Sequence, residues 1–125
     1  MKLAVVGSRS FEDLEKLSLV LDEIHSKNKI SLIISGGAAG ADSLAEVWAK
    51  LNSIPVQIFL PDWKKHGKSA GFIRNRDIIN SCDSCVAFWD GTSKGTLNSI
   101  LLAKTRKIRL KIMLYKKRDN IHIYS

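Results

Sequence analysis

The chain has 125 residues, 45% of them hydrophobic and 26% charged, a balance that suits one ordinary domain with a single core and excludes a disordered, fibrous or disulfide-stapled protein. Its formal charge of +8 admits nucleic acid as a partner. The opening MKLAVVGSRS carries too short an apolar stretch for a signal peptide or a membrane span, so a cytoplasmic protein without a membrane partner is expected.

Residues 3–7, LAVVG, are an apolar run too short for a helix, the mark of a buried strand in a parallel sheet. Ser10, with Asp13 three residues on, suits a helix N-cap, and Leu14, Leu17, Leu21 and Ile24 then mark one face to about residue 26. Residues 30–35 repeat the strand signal, which stops at two glycines in LIISGGAAGADSL (32–44). Such a turn leaves backbone N–H groups able to hold a phosphate, or uses glycine only for tight strand-to-helix packing. Asp42 suits the cap of the next helix, carried by Leu44, Val47, Trp48 and Leu51.

Residues 54–60 give a third strand with Pro55 at its start, and residues 61–70, PDWKKHGKSA, read as a polar loop. A weaker helix follows at 71–81 on Phe72, Ile73, Ile78 and Ile79. Residues 85–89 are a fourth strand, succeeded by the polar turn DGTSKGT (90–96) and a helix on Leu97, Ile100 and Leu101. Residues 110–115 form a fifth strand, and 121–124 a short sixth at an edge. This alternation, unbroken by linker or repeat, predicts a three-layer, doubly wound α/β fold of Rossmann type with a mostly parallel sheet, one domain over residues 1–125.

In such a sheet ligands bind beyond the carboxyl ends of the strands, near the point where strand order reverses. Residues 7–9, 36–42, 61–70 and 90–96 all follow strands and so gather on one rim, where two helix N-termini could converge on one anion. Ser8, Arg9, Arg74 and Arg76 add donors there, with Arg9 the strongest single phosphate contact. Neither G-x-G-x-x-G nor G-x-x-x-x-G-K-[ST] occurs, which argues against a dinucleotide dehydrogenase or a P-loop NTPase.

Asp42, Asp62, Asp77 and Asp90 are the rim carboxylates available for glycosidic chemistry. Asp42 serves equally as a helix cap, and Asp90 as a residue closing its own turn. Trp63 and Trp89 can stack on a base or belong to the core. His66 reads as a solvated loop residue, and the separation of His25, His66 and His122 predicts no metal site. Cys82 and Cys85 read as core cysteines rather than a redox or zinc pair. Lys104, Arg106, Lys107, Arg109, Lys111, Lys116, Lys117 and Arg118 form one basic window, a nucleic-acid footprint or a guarded edge strand.

Gly7-Ser8-Arg9 with Phe11, Gly36-Gly37-Ala38-Ala39-Gly40-Ala41-Asp42, Pro61 and Trp63, Ala70-Gly71 with Arg74-Asn75, and residues 87–96 (Ala-Phe-Trp-Asp-Gly-Thr-Ser-Lys-Gly-Thr) together resemble a small bacterial and phage family. It is the YspA-like, cpYpsA-related branch of the SLOG superfamily, and the resemblance covers about residues 1–105. It implies a Rossmann-like domain that binds a nucleotide or an ADP-ribose-like derivative without a further cofactor, pairing as a homodimer. The ligand-binding residues it implies are Gly7, Ser8, Arg9, Gly36, Gly37, Gly40, Asp42, Arg74, Asn75, Asp90, Gly91, Thr92, Ser93, Gly95 and Thr96.

The LOG-type phosphoribohydrolases of the wider superfamily carry a Gly-Thr-x-x-Glu turn with a catalytic glutamate. Gly95-Thr96 is similar to its first half, but the glutamate position falls on Ser99. The resemblance therefore implies phosphate holding by Arg74 or Arg76 more than cleavage, with Asp42 and Asp90 as the catalytic candidates if a bond is cut. A single-strand DNA-binding recombination protein in the same superfamily lends an analogy to the nucleic-acid alternative.

Overall fold

The computed structural model describes residues 1–116, so Lys117, Arg118, His122 and the sixth strand expected at 121–124 lie outside the described residues. In chain order the elements are β1 (Lys2–Gly7), α1 (Leu14–Lys27), β2 (Leu32–Ser35), α2 (Ala41–Leu51), β3 (Val56–Ile58), α3 (Trp63–His66), a 3-10 turn (Gly67–Ser69), α4 (Ala70–Ser81), β4 (Ser84–Trp89), α5 (Lys94–Thr105) and β5 (Arg109–Leu114).

Alternate residues of each strand enter different cores, as the two-residue period of a strand requires. Leu3, Val5, Ile33, Val86 and Phe88 pack with Leu17 and Leu21 of α1 and Ala45 and Trp48 of α2. Ala4, Val6, Ile34, Cys85 and Ala87 face the other way, onto Ile78 and Ile79 of α4 and Ile100 and Ala103 of α5. The result is a three-layer α/β/α fold of Rossmann type, with all five strands parallel in the order β3-β2-β1-β4-β5. The chain winds outward from β1 to β3 and then crosses back to β4, so the order reverses between β1 and β4. Gly7 is in register with Phe88, and the loops leaving those two strands start side by side.

Several local expectations are corrected. Asp13 caps α1, its Oδ1 accepting the Lys16 N–H at 3.0 Å. Ser10 instead shares a hydrogen bond of 2.8 Å with the Tyr115 hydroxyl. The cause is Phe11, buried against Phe88 and Tyr115 with ring centroids 4.8 and 4.9 Å away, which fixes the chain in the core and delays the helix start. The loop expected at 61–70 contains α3, whose first turn is closed by Asp62 Oδ1 accepting the Lys65 N–H at 3.1 Å.

Trp89 is held by its indole N–H to Ser93 O at 3.0 Å and packs against the α4–α5 core, so it is no stacking platform. His25 Nδ1 accepts the Ile30 N–H at 2.9 Å and closes the turn after α1. Both cysteines are free thiols, Cys85 within β4 and Cys82 at the end of α4. Burial pushes the thiol pKa of both up, that of Cys82 to about 11, the opposite of what a redox nucleophile needs.

Among the described residues the basic window does not form one patch. Lys104, Arg106 and Lys107 end α5 at the amino edge of the sheet, Arg109 and Lys111 run along β5, and Lys116 lies past its carboxyl end. No helix among the described residues is long and apolar enough to cross a membrane.

Candidate functional site

A cavity of about 380 Å³ opens where β1 and β4 end. Ser8 forms its floor, 2% exposed. The Ser8 N–H donates to Phe88 O at 3.0 Å, and its hydroxyl oxygen accepts the Asp90 N–H at 3.3 Å. One serine thus ties the two loops of the reversal point together and still has a hydroxyl proton to offer. Gly7 is required beneath it, since a Cβ there would lie 2.7 Å from Phe88 O.

Arg9, exposed, and Arg74, half-buried, both line the crevice. Arg74 is oriented by its own partners: Nη1 donates to Gly36 O at 2.7 Å and Nε to Asn75 Oδ1 at 3.0 Å. Asn75 in turn donates to Gly95 O at 3.3 Å and Asn98 Oδ1 at 3.1 Å, so α4 positions the arginine with help from β2 and α5. Burial lowers the Arg74 pKa from its ordinary value; the Asp42 carboxylate opposes this, and the Arg9 charge adds to it. The two guanidiniums line one crevice and repel one another, a repulsion that an anion bound beside them relieves.

The glycine turn at residues 36–42 departs from the expectation of free anion-holding N–H groups. Asp42 does not cap α2; Gly40 takes that position, at φ +84°. Its missing side chain matters because a Cβ would lie 2.7 Å from Arg9 Cα. The Asp42 carboxylate reaches back instead, Oδ2 accepting the N–H of Gly36 at 3.0 Å and of Ala38 at 3.2 Å, while the Gly37 N–H goes to Ser35 Oγ at 3.1 Å. The turn therefore already holds an anion, its own. Burial raises the Asp42 pKa to about 6, against the lowering effect of those two N–H groups and of Arg74, with Glu46 adding a further upward push. A carboxyl in that state can exchange a proton near neutrality, and it lines the crevice.

Asp90 is engaged differently. Its Oδ1 accepts the N–H groups of Thr92 and Ser93 at 2.9 and 2.8 Å, and Oδ2 accepts the Ser93 hydroxyl at 2.9 Å. Partial burial works to raise its pKa, but the Ser93 and Thr92 hydrogen bonds outweigh it and hold the group down to about 2. Asp90 is a fixed anion closing a turn, its carboxylate committed to Thr92 and Ser93.

The helix that Asp90 introduces is less fully capped. Ser93 stands at the N-cap of α5 without a side-chain cap bond, its hydroxyl being drawn to Asp90. The first internal bond of the helix is Leu97 N–H to Ser93 O at 3.1 Å, which leaves the N–H groups of Lys94, Gly95 and Thr96 without an intrahelical partner, Gly95 and Thr96 lining the crevice. Ser93, Gly95, Thr96 and the buried Ser99 line the space in front of them.

The structure thus brings together Gly7, Ser8, Arg9, Asp42, Arg74, Asn75, Asp90, Ser93, Gly95 and Thr96 around one cavity. Gly36, Gly37, Gly40, Gly91 and Thr92 shape the flanking turns but stand outside its lining, as does Arg76. Sequence reasoning missed Glu46, which accepts the Ser35 hydroxyl at 2.8 Å, and Asn98, which steadies Asn75. The signal for Glu46 was present in its spacing of four residues from Asp42 on one helix. Nothing in the sequence marks Asn98. Among the described residues no group of three or more His, Cys, Asp or Glu side chains is placed to hold a metal ion.

The family model for the YspA, cpYpsA-related SLOG family matches residues 1–66. The chain belongs to that family. The Gene 61 protein of Mycobacterium phage D29 is 34% identical to this SLOG chain over 103 residues, covering 76% of the chain and 82% of the relative. Among solved structures, DNA processing protein A of Streptococcus pneumoniae superposes with a TM-score of 0.76 at 19% identity, covering 94% of this chain. This chain spans only 52% of that protein. DNA processing protein A of Helicobacter pylori, a single-stranded DNA binder, gives a TM-score of 0.70 at 22% identity, covering 96% of this chain and 67% of the other. At such identities the two structures share the fold with this SLOG chain.

Proposed function

We propose that the crevice binds a nucleotide unit, with its phosphate on Arg9, Arg74, the Ser8 hydroxyl and the N–H groups that open α5. The observation that carries this reading is the pair of arginines lining one crevice in front of a helix N-terminus that has no side-chain cap. We read it as a binding site rather than a cutting one: Ser99 stands where the related hydrolases carry their carboxylate, Asp90 is a fixed anion, and the Asp42 carboxylate is committed to the N–H groups of Gly36 and Ala38.

The nucleotide unit is better read as part of a single strand than as a free nucleotide. The formal charge of +8 favours a polyanion, and the Helicobacter pylori relative by fold binds single-stranded DNA. Calorimetric titration with a nucleotide panel, ADP-ribose and single-stranded oligonucleotides separates the readings. Binding by the wild-type chain, weakened about tenfold in Arg9→Ala because a charged hydrogen bond is lost, is the expected result. Tighter binding of the oligonucleotide identifies the strand, binding of the free nucleotide alone identifies the small ligand, and no binding to any of them overturns the proposal.

A further inference from the structure

Trp63 differs from the other two tryptophans. Trp48 is 2% exposed with its indole N–H bonded to Asp22 Oδ1 at 2.9 Å, and Trp89 is fixed by Ser93. Trp63 is 56% exposed, and its indole N–H has no protein acceptor among the described residues. Leaving so large an apolar ring in water is unfavourable, and tryptophans so placed concentrate where a partner covers them.

Its ring lies beside Gly71. A Cβ on Gly71 would lie 3.7 Å from Trp63 Cη2, so the ring lies over the first turn of α4. Arg74 follows Gly71 by three residues, which places it on the same helical face, one turn nearer the crevice. The indole is thus the next surface beyond the crevice arginine along the carboxyl rim of the sheet.

Exposed Leu60 and Phe72 lie close to it in the chain, but the charge around it points to a polyanion rather than an apolar partner. From Trp63 to Arg76 the chain carries Lys64, Lys65, Lys68, Arg74 and Arg76 and no acid. Lys64, Lys65 and Lys68 are exposed and make no salt bridge among the described residues. Asp62, the nearest acid before the run, turns its carboxylate to the backbone of α3. An exposed ring flanked by unpaired cations is the composition that holds a base by its face and the adjoining phosphates by charge.

We infer that Trp63 is a base-stacking platform, with Lys64, Lys65 and Lys68 as its phosphate contacts, extending the crevice into a track for a single-stranded nucleic acid. The inference rests on the crevice reading above and adds a second contact point outside the cavity. It predicts that a strand of several nucleotides gains affinity over a mononucleotide by spanning from Arg74 to Trp63.

The test titrates labelled oligothymidylate and oligouridylate of about 12 nucleotides, within the span that single-strand binders occupy, and thymidine monophosphate, against wild type, Trp63→Ala, Trp63→Phe and Arg9→Ala. Trp63→Ala is expected to weaken either oligonucleotide about 5- to 100-fold while leaving the mononucleotide unchanged, and Trp63→Phe to retain most of the affinity. The oligonucleotide should quench a part of the tryptophan emission that is missing in Trp63→Phe. Which oligomer binds tighter distinguishes DNA from RNA. Oligonucleotide affinity in Trp63→Ala equal to that of wild type overturns the inference, and a loss of dimerisation in sedimentation with unchanged oligonucleotide affinity assigns this surface to a second copy instead. If Arg9→Ala affects neither ligand while Trp63→Ala weakens the oligonucleotide, the crevice reading fails and the platform stands.

Discussion

Asp42 shows how one carboxylate is read differently by its neighbours. Burial raises its pKa from 3.8 to about 6 in the folded chain, so the proton is bound more tightly folded than unfolded. Its contribution to stability is therefore fully present below about pH 4 and is lost as the pH rises through 6. The substitution Asp42→Asn would keep the oxygen that Gly36 and Ala38 need while removing the titration. The stability of wild type relative to Asp42→Asn should fall by at most about 3 kcal/mol between pH 4 and neutrality in urea titrations; parallel pH profiles for the two proteins would show that Asp42 does not titrate as described. The residue type and its place after a glycine turn were legible in the sequence. Its direction was not, because a forward cap and a backward reach differ only in the loop path between Gly36 and Gly40. That path is set by the close approach of Gly40 to Arg9, a contact across thirty-one positions of chain.

Among the elements, α5 carries the most direct consequence. Gly95 sits in its first turn, exposed, with nothing near where a Cβ would stand. Gly95→Ala should stabilise the fold by up to about 1 kcal/mol through helix propensity alone. Gly95→Asp should leave the melting temperature unchanged or raise it, since a carboxylate suits a helix N-terminus. The same charge would occupy the mouth of the crevice, and affinity for a phosphate-bearing ligand should fall tenfold or more by calorimetry; retained affinity would place the phosphate elsewhere. β1, β2 and β4 were legible as short, largely apolar runs, and α1, α2 and α5 because their apolar residues recur at helical spacing. α3 was not, since Trp-Lys-Lys-His has no apolar period. It exists because Asp62 closes its first turn and Gly67 ends it at φ +56°.

For the whole molecule, the parallel sheet decides which charges can act together. β5 spans six residues, which at roughly 3.3 Å per residue puts Lys104, Arg106 and Lys107 about 20 Å from the rim. Neutralising Lys64, Lys65 and Lys68 should therefore lessen the salt dependence of oligonucleotide affinity by about 0.7 in logarithmic slope for each lysine removed. The same change at Lys104, Arg106 and Lys107 should leave the slope unaltered, and an equal effect from both sets would mean the strand does not follow the rim. The α/β alternation and the rim were legible, because handed crossovers put every post-strand loop at one end of a parallel sheet. The strand order was not, because nothing local says that the chain after β3 returns beside β1. That return brings Ser8 against the Asp90 N–H, eighty-two positions away. With the two loops fastened in this way before any ligand arrives, capture is governed by encounter rather than rearrangement, and a chain of net charge +8 should meet a polyanion quickly at low salt and release it at a rate set by the local contacts.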